Sequence, residues 1–302
     1  MSLRQQLQGT GVALVTPFTE NFQVDFNALG NVIDAMIRGG VEYLITLGTT
    51  GETPTLDKQE KLDIVKYTFE KVAGRVPVIV GIGGNNTAEL IKDLHHFPLD
   101  KAVAVLSASP SYNKPSQEGI IQHYKALAEA SPKPIILYNV PGRTGRNMTA
   151  ATTLALAQVP NIAGMKEAGG DMVQCMQILR HRPKDFLVVS GDDALALPQL
   201  ACGMDGVISV AANAFPKEFS DMVRLCLKNN FPAAKEINDA LLDAYDLMFT
   251  ENNPAGVKAF MTEQGLLTNA VRLPVVPLSG GLHSKVKAYL KKSPKYFFRK
   301  CP

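Results

Sequence analysis

Lys166 stands directly behind the apolar run Ile162-Ala163-Gly164-Met165, and no other lysine in the chain follows a strand-like run in that way. Such a placement puts an amine in a largely dry site. Desolvation lowers a lysine pKa, and an uncharged amine attacks a ketone or aldehyde to give an iminium that withdraws electrons as a bound proton would. A surface lysine paired with its neighbour Glu167 is the competing reading. Tyr138 closes another apolar run and Tyr112 opens the loop behind a third. A phenol there can give and take a proton, unless it is simply a packed ring with a satisfied hydroxyl. Thr49 and Thr50 lie between Gly48 and Gly51. Their hydroxyls and exposed N–H groups suit a small carboxylate, with an ordinary turn as the alternative. Arg143 adds a forked cation that suits a second carboxylate, against a structural ion pair.

Other chemistries find less support. Metal-assisted aldol chemistry needs histidines or clustered carboxylates, yet His95, His96, His123, His181 and His283 all fall in helical segments, at their ends or in the tail. Asp192-Asp193 follows an apolar run, but without a second carboxylate source it reads as a cap or a hydrogen-bond network rather than a cation site. Gly81-Ile82-Gly83-Gly84 begins like a dinucleotide fingerprint, but its third glycine would fall at Asn86. Neither a phosphate-binding lysine loop nor a serine elbow occurs. Glycine at such places lets the backbone approach a small ligand.

The elements that must carry these residues recur along the chain. Apolar runs at Gly11–Val15, Tyr43–Leu47, Val76–Val80, Ala102–Leu106, Pro134–Tyr138, Asn161–Met165, Phe186–Ser190 and Gly206–Val210 are continuous rather than alternating, as in parallel strands covered on both faces. Helical patterns at 26–39, 57–73, 87–96, 116–130, 149–158, 171–181, 194–202 and 216–229 lie between or after them, with Thr87, Ser116 and Thr149 as N-caps. Eight strand-helix units predict a closed (β/α)8 TIM barrel rather than an open doubly wound sheet. In that fold the chemistry sits at the C-terminal strand ends. The barrel is expected over 1–230 and a C-terminal helical region over 231–302, with helices near 232–250, 255–264 and 282–292 broken by Pro274 and Pro277.

Composition narrows the partners. The 302 residues are 46% hydrophobic, enough to fill a large core, and 31 basic against 28 acidic residues are mixed along the chain, leaving no footprint for nucleic acid. No apolar run approaches the roughly 18 residues of a membrane span, and the N-terminus lacks a signal-peptide core. Cys175, Cys202, Cys226 and Cys301 are too scattered for a metal site or disulfide framework. A cytoplasmic protein is expected.

Taken together, Gly48-Thr49-Thr50-Gly51-Glu52, Tyr138-Asn139-Val140-Pro141 with Arg143-Thr144-Gly145, and Gly164-Met165-Lys166-Glu167-Ala168 closely resemble the dihydrodipicolinate synthase family. Ser190-Gly191-Asp192-Asp193 and Gly206-Val207-Ile208-Ser209-Val210 follow in the right order, so the likeness spans nearly the whole chain. The resemblance implies a lyase of lysine (diaminopimelate) biosynthesis in which Lys166 forms a Schiff base with pyruvate, with no metal or organic cofactor. Tyr138, Thr49 and Tyr112 would form its proton relay, Tyr112 reaching into a neighbouring subunit's site. Thr50 would hold the pyruvate carboxylate, with Gly191 and the Ile208 carbonyl beside it, and Arg143 would hold L-aspartate 4-semialdehyde. The expected product is 4-hydroxy-tetrahydrodipicolinate and the expected assembly a homotetramer, a dimer of dimers.

Related barrels with the same lysine and tyrosine cleave N-acetylneuraminate or keto-deoxy sugar acids. Arg143-Thr144-Gly145 and the Thr49-Thr50 pair favour the synthase. A barrel that only binds a keto acid would need Thr50 and Arg143 but not Lys166 with Tyr138. Free lysine inhibits many family members at positions matching Thr53, Pro54, Lys58, Lys61, Asn85, Glu89 and Ser111. Asn85 and Glu89 keep the family pattern, but Ser111 replaces a usual tyrosine, and Lys58 and Lys61 stand where histidines often occur. Added positive charge and a lost aromatic wall predict weak or absent inhibition.

Overall fold

Pro77 and Pro134 fix where two strands begin. Each offers its carbonyl to a neighbouring strand, Pro77 to the Leu44 N–H and Pro134 to the Val105 N–H. Neither has an N–H to give back, so β3 runs Val78–Gly81 and β5 Ile135–Asn139, both starting later than their apolar runs. The computed structural model describes residues 2–292. With β1 (Gly9–Ala13), β2 (Tyr43–Thr46), β4 (Ala104–Ala108), β6 (Ile162–Glu167), β7 (Leu187–Ser190) and β8 (Gly206–Ser209), these strands form a closed parallel barrel in sequence order. Closure is why β1 starts at Gly9 rather than Gly11: Gly9 pairs with Gly206. A Cβ on Gly206 would lie 2.0 Å from the Gly9 carbonyl oxygen, so the backbones meet where no side chain fits. At their other ends β4 and β6 outrun their apolar stretches, because Ala108 pairs with Tyr138, and Glu167 with Asn139 and Ser190. Lys166 is thus inside β6 rather than behind it.

The crossover helices are Phe26–Arg38, Lys58–Val72, Thr87–His96, Gln117–Ala130, Ala150–Leu156, Met172–His181, Ala196–Ala201 and Pro216–Leu227. Ser116 and Thr149 cap as expected, accepting from the Gly119 and Thr152 N–H groups. The third helix differs: Asn86 takes the Ala88 N–H, and Thr87, one residue inside, lies 2.8 Å from His123 Nδ1 instead. Asn wins because its carboxamide reaches the second N–H from the extended cap position.

Two apolar layers result. Inside the barrel, Tyr43, Ile45, Ile79, Leu106, Ile136 and Ile208 pack on one another, while a larger core fills the space between strands and helices. Leu7, behind the short helix Leu3–Gln6, joins the inner layer. The C-terminal helices Phe231–Phe249, Ala255–Glu263 and Gly280–Lys292 share the larger core through Leu241, Tyr245, Phe260 and Val286. Among the described residues no helix is long and apolar enough to cross a membrane. Cys175 and Cys226 are buried free thiols and Cys202 is partly exposed; Cys301 lies outside the described residues.

Candidate active site

At the C-terminal mouth of the barrel a cavity of about 990 Å³ is bordered by Thr49, Thr50, Tyr138, Arg143, Lys166 and Gly191, among others. Register brings the first pair together: Tyr138 on β5 stands opposite Lys166 on β6. The amine lies 4.4 Å from the tyrosine ring centroid, and both residues are buried, at 4% and 7% exposure. Successive strand side chains face opposite sides, so Glu167 turns away from the cavity. It accepts hydrogen bonds from the Asn139 and Gln174 side chains and the Gly169 N–H, not an ion pair from Lys166. Burial pushes its carboxyl above the usual range against those bonds.

Thr49–Gly51 form a single 3-10 turn behind β2. Thr50 is buried, and its Oγ1 accepts from Asn253 Nδ2 at 3.2 Å. That bond uses an oxygen lone pair and leaves the hydroxyl proton free to point at an anion. Arg143 sits exposed on the short helix Pro141–Thr144, where its Nη2 donates to the Asn253 carbonyl at 3.4 Å. Gly191 closes the other flank: a Cβ there would come within 2.7 Å of both Lys166 Cε and Ala168 Cβ. Only glycine leaves the lysine stem its room.

Sequence reasoning missed the contribution of the C-terminal helices. Tyr245, Asp246, Phe249 and Asn253 all border the cavity. Deeper in, Lys258 is wholly buried and donates to Glu52 Oε1 at 2.5 Å and to the Ala270 carbonyl at 2.9 Å. Glu52 ends the turn that carries Thr49 and Thr50, with left-handed backbone at φ 54°. The same C-terminal stretch therefore grips that turn twice, through Thr50 and through Glu52.

Two expected residues stand apart. Tyr112 does not border the cavity; it is 89% exposed with φ 68°, in the loop after β4. Ile208 is buried in the inner core, paired with Gly11, and does not line the cavity. Asp192 and Asp193 part company: Asp192 Oδ1 takes the Ala194 and Leu195 N–H groups, while buried Asp193 takes those of Val210 and Ala211 and is pushed up to about 6 by burial. The aspartates thus tie turns and loops as a hydrogen-bond network, and neither caps the helix Ala196–Ala201 that follows. Among the described residues no group of three His, Cys, Asp or Glu side chains is placed to hold a metal ion. The histidines occupy helices; His123, the buried one, is driven down to about 4 by desolvation.

Of the positions matched to lysine inhibition, Thr53, Pro54, Lys61, Asn85 and Ser111 border the same cavity. Lys58 is 3.5 Å from Asp93, and Glu89 is already paired with Lys92 at 2.7 Å.

Residues 6–293 match the model of the dihydrodipicolinate synthetase family. A 4-hydroxy-tetrahydrodipicolinate synthase of Flavobacterium psychrophilum is 48% identical over 288 residues, 95% of this chain and 98% of the relative. Among solved structures, the chloride-inhibited dihydrodipicolinate synthase of Acinetobacter baumannii complexed with pyruvate matches with TM-score 0.92 and 38% identity, over 94% of this chain and 98% of that one. A DHDPS of Cyanidioschyzon merolae with lysine bound matches with TM-score 0.91 and 35% identity, over 94% and 97%.

Proposed function

The chain belongs to the dihydrodipicolinate synthetase family, and from that premise we propose that it condenses pyruvate with L-aspartate 4-semialdehyde through an imine on Lys166. The reading rests above all on the Tyr138–Lys166 register pair at the wall of a cavity that also carries Thr50 and Arg143. The Lys166 amine adds to the ketone of pyruvate and water leaves, with Tyr138, helped by Thr49 and by Tyr112 of a second subunit, moving the protons. Loss of a methyl proton gives the enamine, whose carbon attacks the aldehyde, and the new alkoxide takes a proton. The amine of the bound semialdehyde then attacks the imine carbon, freeing Lys166 and closing the ring of 4-hydroxy-tetrahydrodipicolinate. The protein amine is the electron sink, so the scheme calls on no separate cofactor.

Thr50 offers its free hydroxyl proton to the pyruvate carboxylate, beside Gly191 and the Ile208 carbonyl. Arg143 at the rim receives the carboxylate of the second substrate. An aromatic ring as exposed as Tyr112, beside the mouth and held by a left-handed backbone, supports a partner subunit covering it, in a dimer paired into a tetramer. A cytoplasmic location fits a step that consumes pyruvate and opens lysine biosynthesis.

Substrate choice is read directly from turnover. With aspartate semialdehyde, N-acetylneuraminate and 2-keto-3-deoxygluconate offered in parallel, kcat/KM for the first should exceed the others by at least about 100-fold, well inside the roughly 10⁴-fold that a site built to hydrogen-bond a substrate's polar groups can reach. A sugar acid turned over faster would overturn the assignment.

L-Lysine should be a poor inhibitor. Lys61 adds positive charge to the candidate pocket, Glu89 is already neutralised by Lys92, and Ser111 offers no aromatic wall. A titration of L-lysine against the condensation rate is expected to stay flat to about 1 mM, since the lost contacts are each worth about 1 kcal/mol or more. Half-inhibition below that concentration would contradict it.

A further inference from the structure

We propose that Asn139 and Glu167 are positioning residues for the Lys166 chemistry: a buried polar lock on the outer face of β5 and β6 that sets how Tyr138 and Lys166 meet on the inner face. The inference rests on the function proposed above. Its basis is the register, in which Tyr138 pairs with Lys166 and the next residues, Asn139 and Glu167, pair with each other. The pair that faces the cavity and the pair that faces away are therefore one step apart on the same two strands.

The outer pair is fully engaged. Asn139 Nδ2 lies 2.9 and 3.0 Å from the two Glu167 oxygens and 2.8 Å from Asn147 Oδ1. Gln174 Nε2 donates to Glu167 Oε2 at 3.0 Å and the Gly169 N–H to Oε1 at 2.6 Å. Asn139 Oδ1 accepts the Met148 N–H at 2.9 Å. Both residues are at most 1% exposed. Among the described residues neutral donors alone hold this carboxylate, an expensive arrangement for stability that is very directional. Through Asn147 and Met148 it also pins the far end of the loop that carries Arg143, whose near end is Asn139 itself.

Borohydride trapping with pyruvate tests this. The adduct per chain at completion counts competent sites, and the trapping rate per competent site reads the alignment of Lys166 with Tyr138. Glu167→Gln puts an amide N–H₂ against the donors of its neighbours. It should still reach about one adduct per chain, but at least about fivefold more slowly per site, with a raised KM for aspartate semialdehyde, since small misplacement of reacting groups costs 10- to 100-fold. Exchanging the polarity, Asn139→Asp with Glu167→Gln, restores a donor facing an acceptor and should bring the rate back above the single variant. A loss of stability alone would lower the number of competent sites and leave the rate per site unchanged. A single variant slowed by less than about fivefold, or a swap no faster than the single variant, overturns the inference. Should Glu167→Gln not fold, the swap is compared with wild type: a per-site rate within about tenfold supports the lock, and a slower one overturns it. A wild-type chain that takes up no pyruvyl group would defeat the Lys166 chemistry and this inference together, whereas failure in the variants alone defeats only the lock.

Discussion

Lys166→Met is expected to abolish condensation, by at least about 10³-fold in kcat, while leaving the fold and its stability intact. The magnitude follows from the role: removal of a covalent nucleophile leaves only binding and orientation, and single losses of this kind cost about 10⁴ to 10⁶ in other covalent enzymes. The fold should tolerate it. Among the described residues Lys166 is buried without an ion-pair partner, so methionine fills a similar volume and removes a desolvated polar group, an exchange that is often neutral or mildly stabilising. Mass spectrometry after borohydride treatment with pyruvate should find one reduced pyruvyl group on wild type, located at residue 166, and none on the variant. Full condensation by the methionine variant would end the proposed mechanism, and so would an adduct on another lysine.

The barrel was legible because strands buried on both faces must be apolar throughout, and every described residue of β1, β2, β3, β5, β7 and β8 is in fact buried. Strand ends were not, because hydrogen-bond partners on the next strand decide them, as Gly9 against Gly206 and Glu167 against Ser190 show. Lys166, Tyr138, Thr50, Arg143 and Gly191 could be picked out because each lies at or just behind an apolar run, and the fold turns those places toward one mouth. The orientation of Glu167 was available from the two-residue period of a strand, once Lys166 was placed inside. What could not be read was the share of the C-terminal helices. Asn253 meets Thr50 across 203 residues and Lys258 meets Glu52 across 206, and no local pattern announces contacts so distant. Lys258 in particular reads as an ordinary helix-surface lysine until its neighbours are known.

Breaking that hidden pair should be the most damaging single change for stability. Lys258 is 0% exposed, lies 4.3 Å over the Phe18 ring, and donates to Glu52 and the Ala270 carbonyl; the Arg272 N–H donates to the other Glu52 oxygen at 2.9 Å. Burial drives the Lys258 ammonium down to about 8 despite the opposing pull of Glu52. Lys258→Met would strand the Glu52 carboxylate in the interior, where an uncompensated buried charge costs about 3–5 kcal/mol. Glu52→Gln with Lys258→Met removes both charges and leaves an amide that can still accept from the Arg272 N–H, so the double variant should regain most of that loss. Urea unfolding at one fixed chain concentration would then show a coupling of about 2 kcal/mol or more between the sites. A methionine variant destabilised by less than about 1 kcal/mol, or a double variant that simply sums the two single losses, would mean that the ion pair is not what holds the C-terminal helices to the threonine turn. If the coupling is found, the turn's grip on a carboxylate becomes a property of the whole chain, since the residues that steady Thr49 and Thr50 come from the opposite end of the sequence.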